Sequence, residues 1–332
     1  MPSQQFFHLL NALNTLQRSD KFSAFQVINA QYKSSPDENS HIAVDILVPR
    51  ILADTEISRP CPIIIRIHGG FLVTGSSLYA PWFNDWILDY AIANRAVVIS
   101  PNYRLLPEAT GRDILDDIHD FWHWLRNTAS VDGILRQTGA GGYLATQLAI
   151  TFPSAINSVI AAYPMLDLRS RFYTESYSKP IVHVPNIPAS VLMDHLTANN
   201  DTGTWITAVD PPDRLELAFS IVQNGLFLDV LGAEDKYLFP MDRIEDLLSA
   251  GKSIRLPPMF IFHGEQDSAV PIEGSRKFVQ FLRRMAPTTS VMLYTQDGDH
   301  GFDAGATLET PWLRDRLARI SAAWLKQSSA NL

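Results

Sequence analysis

Residues 61–71 have the sequence CPIIIRIHGGF, a short apolar run that begins beside prolines and ends in two glycines. A run of this length between such residues is typical of a strand that is buried on both faces of a sheet. Two further segments, HIAVDILVP (41–49) and AVVISPNY (96–103), predict strands on either side of it in the chain. By itself, the glycine pair predicts a tight turn that ends the central strand.

Strand and helix patterns alternate through most of the remaining chain. Apolar residues at helical spacing predict a helix over residues 111–127, with Asp near its start, where the helix dipole favours negative charge. Further strands are predicted at 133–138, 156–168, 257–267 and 290–296, and further helices at 141–152, 274–285 and 311–327. This alternation predicts an α/β fold with a mostly parallel central sheet flanked by helices.

The alternation stops in one long segment, which is rich in proline and aromatic residues. We therefore predict four parts: residues 1–40 as an N-terminal helix and lead-in that belong to a cap, 41–167 as the first part of the core, 168–256 as a cap insertion, and 257–332 as the second part of the core. An insertion of this kind between two core strands predicts a cover over an active site.

Composition excludes several classes of protein. The chain has 332 residues, a net charge of −8 and 46% hydrophobic residues, so nucleic acid is not expected as a partner. The single cysteine, Cys61, excludes an intramolecular disulfide and favours a reducing compartment. No apolar run reaches about 18 residues and the first 20 residues resemble an amphipathic helix, so we expect a cytoplasmic protein without a membrane span. The sequence is also compatible with a homodimer.

Four motifs occur in an order that resembles the α/β-hydrolase fold, specifically its hormone-sensitive-lipase-like esterase branch. They are HGGF (68–71), YRLLPE (103–108), HGEQDSAVP (263–271) and DGDHGF (297–302). The resemblance implies that Asp267 orients His300 and that the backbone N–H groups of Gly69, Gly70 and Ala140 form an oxyanion hole. It also implies that YRLLPE holds the neighbouring loop in place.

One element of that family's pattern is missing. The nucleophile normally lies in the sequence G-x-S-x-G-G, and here residues 137–142 are QTGAGG, with Gly139 at the position of the serine. A glycine adopts the strained backbone of that turn easily, so we expect the turn to be kept without its nucleophile. Thr138, Ser76 and Ser77 are the candidate substitute hydroxyls, and none is favoured.

These residues predict chemistry without an acyl-enzyme. The leading hypothesis is a cofactor-independent lyase, cyclase or isomerase, without a metal, that acts on an apolar carbonyl-containing small molecule in natural-product metabolism. One alternative is a weak esterase or lactonase that uses His-activated water or a substitute nucleophile, and another is a non-catalytic small-molecule-binding protein. The predicted pocket residues are Phe71, Thr138, Tyr143, Phe172, Tyr173, Met193 and Trp205.

Overall fold

A computed structural model describes residues 3–52, 61–127, 139–140, 142–198 and 204–329. Eight strands lie within these residues. They are β1 (Phe25–Ser34), β2 (His41–Pro49), β3 (Ile63–Arg66), β4 (Val97–Pro101), β5 (Gly139–Ala140), β6 (Val159–Ala162), β7 (Met259–Gly264) and β8 (Val291–Gln296).

The strands form one sheet in the order β1-β2-β4-β3-β5-β6-β7-β8. Strands β1 and β2 pair antiparallel, as do β2 and β4, and all the other pairs are parallel. The predicted mostly parallel sheet is therefore confirmed. The strand predicted at 133–138 lies outside the described residues.

Strand β1 was not predicted, and it lies inside the segment that was assigned to the lead-in. Most of its residues are exposed, as expected of an edge strand, so its sequence lacks the continuous apolar run of β3 or β4. Residues 25–34 therefore belong to the sheet rather than to the cap.

Eleven helices are described. They are α1 (Gln4–Leu16), α2 (Asp85–Ala93), α3 (Gly111–Asn127), α4 (Gly142–Thr151), α5 (Arg171–Thr174), α6 (Ser190–Ala198), α7 (Leu215–Gln223), α8 (Phe227–Leu231), α9 (Pro240–Ser249), α10 (Ile272–Met285) and α11 (Pro311–Ser329). Short 3-10 helices lie at Arg50–Leu52, Ala80–Trp82 and Lys236–Leu238. None of the described helices is long and apolar enough to cross a membrane.

The N-terminal helix α1 is fixed at its start and along one side. Ser3 caps it, since its hydroxyl accepts a hydrogen bond from the backbone of Phe6 at 3.2 Å. Phe6 and Leu13 are buried, and the ring of Phe6 meets Phe219 of α7 edge to face. The two helices are thereby joined into one layer above the carboxyl ends of the strands.

Part of the predicted cap insertion packs into the core instead. Helix α9 contacts α4 and α10, and Arg243 of α9 donates to the side-chain oxygen of Gln147 on α4 at 2.6 Å. The second half of residues 168–256 therefore returns to the helix layer beside the sheet before β7 begins. Proline and aromatic content could not show this boundary, because α9 is as amphipathic as a core helix.

Candidate active site

Two loops that follow neighbouring strands bring an aspartate and a histidine into hydrogen-bonding distance. Asp267 follows β7 and His300 follows β8, and because these strands are parallel and adjacent, the two loops lie at one edge of the sheet. His300 Nδ1 lies 2.9 Å from Asp267 Oδ2 and 3.2 Å from Oδ1. The pairing fixes Nδ1 as the donor, so that Nε2 is the ring nitrogen available to a ligand.

The environment of Asp267 favours its charged form. Burial alone would raise the pKa of this carboxyl, but His300, His263 and the backbone N–H of Val270 together hold it below its usual range. Oδ1 accepts hydrogen bonds from the amides of Ala269 and Val270 at 2.9 and 2.7 Å. Asp267 is thus an ionised acceptor with a fixed orientation.

His300 is shifted in the opposite sense. Burial would lower the pKa of its imidazole, but the charge of Asp267 and the hydrogen bond between them outweigh burial, and the net pKa is raised. Asp299 and Asp303 add to the increase. A raised pKa makes this histidine a stronger base than a free imidazole.

Asp299 ties the two loops to each other. Its carboxylate accepts from the backbone and the hydroxyl of Ser268 at 2.7 and 2.8 Å, and from the backbone of His300 at 2.7 Å. Since Ser268 follows Asp267 directly, this carboxylate sets the spacing of the His-Asp pair. The sequence analysis did not single out Asp299, although its place beside His300 was a signal.

The turn after β3 presents backbone groups to the same pocket. Gly70 has φ of +99°, and a Cβ there would lie 1.9 Å from the carbonyl oxygen of Thr74, so only glycine fits. The next two residues, Phe71 and Leu72, also have positive φ, of 56° and 63°, which is unusual for bulky side chains. The backbone around Gly69 and Gly70 is therefore held in a shape that it would not adopt alone.

The YRLLPE segment supports that turn. The buried Tyr103 hydroxyl donates to the carbonyl of His68 at 2.9 Å, and its ring stacks on His68 with 4.3 Å between centroids. The amide of Leu106 donates to the carbonyl of Leu72 at 2.8 Å. Burial lowers the pKa of His68 to about 3, so that this imidazole is neutral and acts as a packing surface.

The structure places Gly139 and Ala140 inside β5. Gly139 pairs with Ile65 and Val159, and Ala140 pairs with Arg66 and Ile160. Helix α4 begins at Gly142, so the passage from strand to helix lies after Gly139 and not at it. Thr138 and Gly141 lie outside the described residues, as do the side-chain surroundings of residues 139 and 140.

A cavity of about 410 Å³ joins these elements. His300, Gly69, Gly70 and the first residue of α4 all line it, and most of the remaining lining is apolar. Of the described residues that line the cavity, none is serine, threonine or cysteine. Ser77, one of the candidate substitutes, is buried elsewhere and donates to Asp45 at 2.5 Å.

Only some of the predicted pocket residues reach the cavity. Phe71 and Tyr143 line it. The other described candidates are placed elsewhere. Phe172 packs on Tyr173, which in turn packs on Phe227, Met193 is exposed, and the ring of Trp205 lies against the guanidinium of Arg104. None of these four residues lines this cavity.

The cavity is lined instead by residues that sequence patterns did not indicate. Helix α1 covers it with Leu9, Ala12, Leu13 and Leu16. Asn84, Trp86, Tyr163 and Asp303 form a polar group at its wall. Asp303 follows the DGDHGF motif directly, which was the one available signal. Among the described residues, no group of three or more His, Cys, Asp or Glu could hold a metal ion.

Comparison with known proteins agrees with this architecture. Residues 64–215 match a family described as having the α/β-hydrolase fold. The chain is 29% identical over 326 residues to the probable carboxylesterase M8 of Phoma sp. (strain ATCC 20986 / MF5453), covering 92% of this chain and 98% of that protein. The crystal structure of esterase B from Lactobacillus rhamnosis superposes with a TM-score of 0.61 at 18% identity, over 98% of this chain and 94% of that one.

A third similarity is to part of a much larger protein. The non-reducing polyketide synthase ausA of Penicillium brasilianum is 22% identical over 317 residues, which cover 81% of this chain and 12% of that protein. The chain thus has the α/β-hydrolase fold. Its similarity to a probable carboxylesterase over 92% of its length agrees with the hormone-sensitive-lipase-like type that the motifs resemble.

Proposed function

We propose that the protein is a cofactor-independent enzyme of the lyase, cyclase or isomerase type, in which His300 removes a proton next to a carbonyl group of an apolar small molecule. The observation that carries the proposal is the pairing of His300 with Asp267 at the wall of a cavity whose described lining holds no serine, threonine or cysteine. A base of this kind can act on a C–H bond directly, whereas a covalent acyl-enzyme needs a nucleophile.

Other parts of the cavity lining suit the negative charge that such a reaction creates. Removing the proton leaves an enolate, whose negative oxygen needs donors that are already in place. The backbone around Gly69 and Gly70 lines the cavity, and so does the amino end of α4 at Gly142, where the helix dipole provides partial positive charge. Both features would stabilise an enolate oxygen without moving.

The cavity also favours an apolar ligand. Helix α1 contributes only aliphatic side chains to it, and Phe71, Phe219 and Leu144 extend the apolar surface. Burial of such a ligand yields about 25 cal/mol for each Å² of apolar surface removed from water. The similarity to a segment of a polyketide synthase supports polyketide-like carbonyl compounds as the substrate class.

Deuterium exchange tests the proton abstraction itself. We expect the protein in D₂O to exchange the protons beside the carbonyl of 4-phenylbutan-2-one, followed by NMR, well above the rate in buffer. His300→Ala should return exchange to the buffer rate, while His123→Ala, a change at an exposed histidine outside the cavity, should not. Exchange that is equal in the wild type and His300→Ala would contradict the proposal.

The names of the relatives favour a second candidate, a weak esterase or lactonase in which His300 activates water. Dihydrocoumarin, an apolar lactone, separates the two: His300-dependent opening of this ring without exchange of 4-phenylbutan-2-one supports hydrolysis. Binding of both compounds without any conversion supports a small-molecule-binding protein.

A further inference from the structure

A second carboxyl group lies in the cavity close to the His-Asp pair. Asp303, three residues after His300, is only 1% exposed. Its Oδ2 accepts hydrogen bonds from Asn84 Nδ2 at 2.6 Å and from Trp86 Nε1 at 2.9 Å. Its Oδ1 is buried and has no hydrogen-bond partner among the described residues.

The residues around the Asp303 carboxyl line the same cavity. Asn84, Trp86, Tyr163 and Asp303 line the cavity together with His300. The ring of Tyr163 lies 4.2 Å from the imidazole of His300, between centroids. Tyr163 has φ of 35°, a backbone conformation that a bulky residue rarely adopts and that tends to occur at functional sites.

A structural role explains the burial of only one of the two carboxyl oxygens of Asp303. The hydrogen bonds to Asn84 and Trp86 join two segments of the chain, but they use one oxygen. The other oxygen remains buried without a hydrogen bond, which is unfavourable unless a ligand or a proton completes it. None of the described lysine, arginine or histidine side chains forms an ion pair with Asp303.

Electrostatics favour the protonated form of this group. Burial raises the pKa of Asp303, and the hydrogen bonds from Trp86 and Asn84, together with the nearby Tyr163 hydroxyl, offset only part of the increase. An apolar ligand that excludes water would raise it further, because a low dielectric penalises charge. Burial also raises the pKa of Tyr163 well above its usual range, so this hydroxyl stays neutral beside it.

We propose that Asp303 is the general acid of the reaction: its Oδ1 protonates an oxygen that leaves the substrate, while His300 takes the proton from the carbon beside the carbonyl. This assignment rests on the proposed function and names its substrate class, a carbonyl compound with an oxygen substituent on the β carbon. The reaction is then an elimination of water or an alcohol.

The step balances within these two residues. The C–H bond breaks and its proton goes to His300 Nε2, and the electron pair forms the C=C bond. The C–O bond breaks with its electrons on oxygen, which takes the proton of Asp303. The products are an unsaturated carbonyl compound and water or an alcohol. His300 is left as imidazolium and Asp303 as carboxylate. Transfer of one proton from His300 to Asp303 restores the initial protonation state of both residues.

A series of leaving groups tests this assignment. The probes are 4-aryloxybutan-2-ones, in which the aryloxide ranges from 4-nitrophenoxide, a stable anion that leaves without a proton, to 4-methoxyphenoxide, which needs one. Asp303→Asn is the main variant, since its side-chain oxygen can still accept from Asn84 and Trp86. Asp297→Asn, a change at an exposed residue of the same loop, is the matched control.

We expect Asp303→Asn to lower kcat for the 4-methoxyphenoxy probe by about 10²-fold or more, the range that general acids contribute. The 4-nitrophenoxy probe should react at nearly the wild-type rate, and Asp297→Asn should match the wild type on both. Tyr163→Phe, which keeps the ring beside His300, should show a smaller loss in the same direction.

Three other outcomes would overturn the assignment, and they differ in whether the proposed function also fails. An equal loss on every probe would mean that Asp303 only holds the fold, and the proposed function would stand. Absence of His300-dependent aryloxide release from the wild type, with deuterium exchange intact, would exclude elimination but leave proton abstraction in place. Loss of both activities would contradict the proposed function itself.

Discussion

The loops after β7 and β8 and the passage from β5 to α4 meet at one cavity, but they are built differently. The first region is held by a network of hydrogen bonds. Asp267 accepts hydrogen bonds from two backbone amides, and Asp299 accepts hydrogen bonds from Ser268 and His300. In the second region, the described β5 has only two residues, and α4 begins at Gly142. Hydrogen bonds fix His300 and Asp267 in the first region, whereas the second region presents the start of a helix at Gly142 to the cavity.

This difference indicates which region the proposed activity should depend on. Burying a polar group is unfavourable for folding unless its hydrogen bonds are made. A buried carboxylate and imidazole that are held by several hydrogen bonds are therefore a specific arrangement. A helix that starts at a glycine imposes no such requirement. Changes in the first region should therefore affect catalysis strongly, and changes in the second should affect it little.

The largest effect should come from His300→Ala. Removing the base should lower turnover of any reactive probe by about 10²–10⁴-fold, the usual contribution of general-base catalysis. His300 lies on a loop and its side chain is partly exposed, so the far-ultraviolet circular dichroism should not change. Turnover at the wild-type rate would show that the first region is not the seat of the chemistry.

Asp267→Asn should have the next largest effect, because it removes the charge that raises the pKa of His300. We expect a rate loss of about 10²-fold. In the wild type the base must be neutral, so activity should rise with pH through a pKa above the ordinary value of His. In the variant this acidic limb should shift to lower pH.

The same variant has a stability consequence with a definite sign. The lowered pKa of Asp267 contributes stability that is present above the unfolded pKa, about 3.9, and is lost as pH falls through the folded pKa. Urea unfolding of the wild type and Asp267→Asn should therefore differ most at neutral pH and converge on acidification. A constant difference across this range would mean that the carboxylate charge contributes nothing.

Tyr103→Phe should have a moderate effect on the turn after β3. It removes the buried hydroxyl that donates to His68, at a cost of about 1 kcal/mol in the free energy of unfolding. Tyr32→Phe is the matched control, since it removes a buried hydroxyl that donates to the carbonyl of Asn102. Both should destabilise alike in urea, but only Tyr103→Phe should lower kcat, by less than the about 10²-fold that loss of one oxyanion donor costs.

The smallest effect should come from Gly139→Ser. Gly139 lies within β5, paired with Ile65 and Val159, and precedes the passage into α4. Hydrolysis of 4-nitrophenyl acetate should therefore remain at the wild-type level. A burst of 4-nitrophenolate would contradict this, and would show that position 139 meets His300 after all.

Much of the fold could be predicted from the sequence, for a local reason. Strands β3, β4 and β7 are buried on both faces, so each is a continuous apolar run that is visible without its neighbours. Strand β1 was missed because an edge strand with exposed residues lacks that signal. The amphipathic α9 shows its helical period but not which layer it packs against.

The candidate site divides in the same way. The resemblance of four motifs to the α/β-hydrolase family singled out His300, Asp267, Gly69 and Gly70. In the structure each of them follows a strand of the parallel part of the sheet, and parallel strands end at the same edge. Only the tertiary structure decided what lines the cavity. Helix α1, Tyr163 and the Asn84–Trp86–Asp303 contact come from distant parts of the chain, and no local pattern encodes a contact between residues 84 and 303, which depends on how whole layers pack.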